Sequence, residues 1–144
     1  MTRSSLIVLD LDGTLLNARG AISPRNAKAI AAAEAAGVPV VVATGRSWYE
    51  CREVLAPIGM GRAMVTAGGS VLSDGPTGRT LIRHGMARPV VEETVSSLTR
   101  HGHPVLLLKD APAERDHYVV VGEGPLDRAS EWWFNVHRIR YARV

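Results

Sequence analysis

Cysteine is nearly absent from these 144 residues. Cys51 stands alone, so no intrachain disulfide can form, and the chain reads as one made for a reducing compartment. Lysine is scarce too: Lys28 and Lys109 are the only two, so the positive charge is carried by arginine. The net charge of +3 suits an anionic substrate as well as nucleic acid and decides between neither. No apolar run approaches the length of a membrane span. The start, Met1 to Leu6, imitates a signal peptide only until Asp10 and Asp12 interrupt its apolar stretch. Neither Gly-x-x-x-x-Gly-Lys nor Gly-x-Gly-x-x-Gly occurs, which leaves triphosphate and dinucleotide cradles without support. With 46% hydrophobic residues the chain can pack a core and is not disordered. The expectation is a soluble, cytoplasmic protein of one domain, or a small domain with part of another.

What is present begins with Leu6-Ile7-Val8-Leu9, an apolar run that reads as a fully buried strand of a parallel sheet. It ends in Asp10-Leu11-Asp12-Gly13-Thr14. Ser23-Pro24 then opens a helix that Gly37 closes. Val38 to Ala43 reads as a second strand, Ser47 to Ala56 as a helix, and Arg62 to Ala67 as a third strand. This alternation is that of a doubly wound, Rossmann-like α/β sheet. A hairpin follows, with strands Gly69–Asp74 and Thr80–His84. Beyond a boundary near residues 84–88 come a helix from Pro89 to Arg100 and strands Val105–Leu108 and His117–Val121. The loop Lys109–Asp116 separates those strands, and a helix from Leu126 to Val136 leads to a strand at Arg138–Tyr141. The domain expectation is therefore 1–84 and 85–144.

Acids at the carboxyl end of a parallel strand stand where open α/β sheets bind ligands. In an extended segment Asp10 and Asp12 would point the same way, toward one site. Two such carboxylates suit phosphoryl transfer: one attacks phosphorus, the other protonates the leaving oxygen and then activates water. A hard divalent cation beside Asp10 would screen the repulsion between anionic nucleophile and anionic substrate. Thr44-Gly45 ends the second strand at the same rim, where a hydroxyl and backbone N–H groups make a phosphate cradle.

Asp10-Leu11-Asp12-Gly13-Thr14-Leu15-Leu16 resembles the first signature of the haloacid dehalogenase-like phosphohydrolases, and Val40 to Arg46 resembles their second. Val65-Thr66-Ala67-Gly68-Gly69-Ser70, leading into a hairpin, is similar to the Cof-like branch with a large α/β cap. The resemblance implies that Asp10 is the nucleophile and a Mg²⁺ ligand, and that Asp12 is the acid/base and binds Mg²⁺ through its backbone carbonyl. It also implies that Thr44, Gly45 and the backbone of Leu11 hold the phosphoryl group. The activity so implied is Mg²⁺-dependent hydrolysis of a small phosphorylated metabolite through an aspartyl-phosphate.

The chain also departs from that pattern. Gly68-Gly69 stands where Cof-like members often have Asn-Gly. The resemblance also implies a third-signature lysine and a fourth-signature acidic loop after the cap, of which residues 85–144 are expected to form only a part. Val119 to Asp127 resembles the fourth signature slightly, but Lys109 lies too close to Gly122 for the helical crossover that parallel strands need. A cap strand and turn is the preferred reading. The likeness covers the front half of a family member, and without later core strands Leu6–Leu9 becomes an exposed apolar edge. A completing chain or a second copy at that edge is the expected partner, with no nucleic acid and no membrane. The rival reading is a non-catalytic module that binds phosphate or a partner chain. A receiver-like module fits less well, because its third strand should end in an acid and here ends Thr66-Ala67-Gly68-Gly69.

Other features have plain readings. Trp132-Trp133-Phe134 reads as core with one exposed ring, and Cys51 as buried filler. His101-Gly102-His103 reads as a surface turn and His137 to Arg143 as a solvated strand face. Arg46 reads equally as a substrate contact or as a surface arginine at a helix start.

Overall fold

A five-stranded sheet, in the order β1-β2-β3-β4-β5, organises the first of two compact units, residues 1–84 and 85–144. The computed structural model describes residues 5–59, 61, 63–110 and 115–144. Arg62 of the expected third strand, Met1 to Ser4, and the middle of the Lys109–Asp116 loop lie outside the described residues.

In the first unit β1 (Ile7–Leu9), β2 (Val40–Ala43) and β3 (Ala63–Thr66) run parallel, Leu9 opposite Val42 and Ala43 opposite Val65. β4 (Val71–Asp74) and β5 (Thr80–Arg83) continue the sheet antiparallel, which makes it a mixed sheet of the α/β class. Helix α1 (Pro24–Ala35) starts as its sequence dictates: Ser23 Oγ accepts from the Asn26 N–H at 3.1 Å, and Pro24 takes the first helical position. Gly37, at φ +79°, turns the chain out of the helix in a conformation that a side chain would strain.

Helix α2 (Trp48–Leu55) is capped reciprocally. Ser47 Oγ accepts from Glu50 N, and Ser47 N donates to Glu50 Oε2 at 2.6 Å. Ile30 of α1, Cys51 and Leu55 of α2, Val40, Val42 and Met64 of the strands, and Leu11, Leu15 and Leu16 form one apolar core. Trp48 Nε1 donates to the Gly75 carbonyl at 2.7 Å, and Gly78 lies against the Trp48 ring with no room for a Cβ. Those two contacts tie the β4–β5 hairpin to α2.

The second unit comprises α3 (Arg88–Thr99), β6 (Val105–Leu108), β7 (Tyr118–Val121), α4 (Arg128–Val136) and β8 (Tyr141–Arg143). β7 is central, antiparallel to β6 and parallel to β8. Val120, Phe134 and Ile139 form its core, with Trp133 packed against them and Trp132 left 60% exposed. Asp127 caps α4 through the N–H groups of Ala129 and Ser130. Bonds from Ser130 hold its carboxyl below the ordinary value of 3.8.

Leu6–Leu9, which by its own hydrophobicity reads as a buried strand, is the exposed apolar edge expected where later core strands are missing. Among the described residues β1 pairs only with β2, and Leu6, Ile7 and Val8 are 59%, 37% and 55% exposed. One expectation needs correction: the last strand is displaced, from Arg138–Tyr141 to Tyr141–Arg143. Arg138 turns at φ +51° directly after α4, and Ile139 drops into the core before the chain can extend.

Candidate active site

The carboxyl ends of β1 and β2 lie side by side. Continuing the register Leu9 opposite Val42 places Asp10 level with Ala43, one residue before Thr44. Asp10 is exposed, and its Oδ2 accepts from Thr14 Oγ1 at 3.3 Å.

Asp10 and Asp12 keep extended backbone angles, φ −74°, ψ 156° and φ −79°, ψ 124°. Leu11 between them is fully buried while both acids are exposed. Beyond Asp12 the chain turns: Gly13 passes through φ +77°, and Leu15 N and Leu16 N donate back to the carbonyls of Asp10 and Leu11. Leu11 pins this turn into the core.

Asp12 is held from across the sheet. Arg46 donates from Nε to Asp12 Oδ2 at 2.8 Å and from its NH2 group to Oδ1 at 2.6 Å, a two-pronged ion pair. The sequence alone left Arg46 undecided between substrate and solvent. Its placement beside the Thr44-Gly45 turn, opposite two acids, was the available signal. The Ser47-x-x-Glu50 cap was equally legible as a pattern and is what orients the start of α2.

Thr44 is buried, and its Oγ1 accepts from Arg46 N at 3.2 Å, so its one hydroxyl proton is left to serve as a donor. Gly45 is exposed, and a Cβ there would meet nothing within 4 Å. That open space is where an anion could approach the backbone closely. Ser47 N, by contrast, is taken by Glu50.

For a divalent cation, the donor set is oxygen: the Asp10 carboxylate and the main-chain carbonyl of Asp12. Those hard donors suit Mg²⁺, which typically takes one or two carboxylates and fills its remaining positions with water and phosphate. No group of three or more His, Cys, Asp or Glu side chains able to hold a metal occurs among the described residues.

Cys51 lies fully buried in the core, and burial pushes its thiol up to about 12. The nearby Arg46 opposes that rise, and Glu50 and Asp12 add to it. Since the thiolate is the reactive form, native protein at pH 8 should resist iodoacetamide and label only once unfolded in urea. Rapid native labelling, followed by mass spectrometry, would show that the core around α2 opens.

The family model of haloacid dehalogenase-like hydrolases matches residues 7–123. Phosphatase YwpJ of Bacillus subtilis (strain 168) is 40% identical over 74 residues, 51% of this chain and 26% of that protein. The 5-amino-6-(5-phospho-D-ribitylamino)uracil phosphatase YcsE of the same strain is 46% identical over 69 residues, 48% of this chain and 28% of that protein. A haloacid dehalogenase-like hydrolase from B. subtilis superposes with a TM-score of 0.73 at 23% identity, covering 97% of this chain and 54% of that one. The subclass IIB sugar phosphatase BT4131 superposes equally well, at 18% identity, over 97% of this chain and 52% of its own. The chain thus spans about half the length of the solved structures it resembles, and the matched stretch is under a third of the curated relatives.

Proposed function

The chain belongs to the haloacid dehalogenase-like hydrolases, and from that premise we propose that it carries the nucleophile half of a phosphatase acting on small phosphate monoesters. One observation supports this most: an exposed Asp10 carboxylate at the tip of β1, beside the Thr44-Gly45 turn that ends β2.

On this reading an Asp10 oxygen attacks phosphorus, the bond from phosphorus to the ester oxygen breaks, and Asp12 delivers its proton to the departing alkoxide. Water then attacks the aspartyl-phosphate. Asp12 takes that water's proton, and phosphate leaves with Asp10 restored. The Thr44 hydroxyl and the backbone N–H groups of Leu11 and Gly45 hold the phosphoryl oxygens through the transfer. The Asp10 carboxylate and the Asp12 carbonyl would hold Mg²⁺. When bound, the ion supplies positive charge that offsets repulsion between carboxylate and phosphate. Unit 85–144 is assigned to part of a cap, and the uncovered apolar edge of β1 supports completion of the sheet by a further strand. No helix among the described residues is long and apolar enough to cross a membrane.

Turnover of a general aryl phosphate should require Mg²⁺, vanish on chelation with EDTA and return when Mg²⁺ is restored. Activity that persists after exhaustive chelation would end the metal assignment. Phosphate binding without hydrolysis in the same assay would decide for the rival reading, a module that binds without turnover.

A further inference from the structure

We infer that Arg46 is the positioning residue for Asp12, an inference that rests on the phosphatase reading above. The two residues are 34 positions apart and meet as a fork on a carboxylate, Nε to Oδ2 at 2.8 Å and the NH2 group to Oδ1 at 2.6 Å. The exposure of the partners is unequal: the Arg46 side chain is 12% exposed and that of Asp12 is 56%.

Arg46 is also fixed through its backbone. Its N–H donates to Thr44 Oγ1 at 3.2 Å, and its carbonyl accepts from Ala67 N at 2.8 Å. Its next neighbour, Ser47, is locked by the cap with Glu50. Asp12, in contrast, rides on an exposed turn beside Gly13.

The more buried partner, tied through its backbone, therefore aims the more exposed one. A planar guanidinium that engages both oxygens dictates the orientation of the carboxyl plane, which a point charge cannot do. An acid that must hand a proton to one ester oxygen, and later accept one from water, depends on that orientation. Arg46 also joins the two loops of the site. The residue that aims Asp12 is the same residue whose N–H holds the Thr44 hydroxyl in place.

The test compares kcat/KM for an alkyl phosphate and for an aryl phosphate with an acidic phenol, on the full chain with Mg²⁺. Both values report phosphoryl transfer to Asp10, but only the alkyl ester needs a well-aimed proton donor. Arg46→Met should lower the alkyl-to-aryl ratio by up to about 100-fold, the lower end of general-acid assistance, because the donor is misaimed and not removed. Arg46→Lys, which keeps the charge without the fork, should leave the ratio low, and it carries the test if the Met variant does not fold. In an Asp12→Asn background Arg46→Met should change the ratio no further, because both act through one group. Equal losses on the two esters, or full recovery with Lys, would overturn the inference while leaving the phosphatase reading intact. A wild-type chain that hydrolyses neither ester would overturn that reading, and this inference with it.

Discussion

Asp10→Asn should reduce phosphate-ester turnover by at least about 1000-fold, because it removes the atom that forms the bond to phosphorus and not merely a charge near it. Folding should scarcely notice. Asp10 is exposed, and its carboxylate accepts a bond only from Thr14 among the described residues, so unfolding free energy should stay within about 0.5 kcal/mol of wild type. A steady-state assay beside a urea titration separates the two effects. Residual turnover within about tenfold of wild type would place the nucleophile elsewhere.

The second large effect belongs to a residue with no chemistry of its own. Leu11 sits between the two acids and is fully buried among Leu15, Val42, Cys51 and Met64 in the core of the first unit. Leu11→Ala should cost about 3 kcal/mol, the transfer free energy of the lost side chain plus the cavity left behind. It should also cost activity beyond that expected from stability. The turn that displays Asp10 and Asp12 would lose its anchor, and a shift of about 1 Å at reacting groups is worth about 100-fold in rate. Urea unfolding reads the first effect. The second is read from kcat/KM at temperatures where the variant is fully folded. A variant destabilised as expected but fully active would show that the loop holds its shape without that anchor.

How much of this could be read from the residues in order depends on how far each cause reaches. Ser23 and Pro24 announced α1, and Gly37 its end, because a cap is settled by bonds three or four residues long. Val105–Leu108 and the turn at Gly122 were legible for the same reason. The two strand-end motifs, Asp10 to Thr14 and Thr44-Gly45, were also visible, since each is a short run with its own turn chemistry. Less legible was the last strand: β8 is displaced through one residue, Arg138, in a conformation that its type does not announce.

By itself the chain's order of residues determined the family, the α/β alternation and the pair of motifs that name the chemistry. All of these follow from periodicity, caps and turns acting over a few neighbours. Tertiary structure decided what those motifs face. It brought Arg46 onto Asp12 across 34 residues. The physical reason is that a contact between strand ends depends on which strands pair and in what register. Pairing is a property of the assembled sheet, in which Leu9 finds Val42, and of no single segment within it.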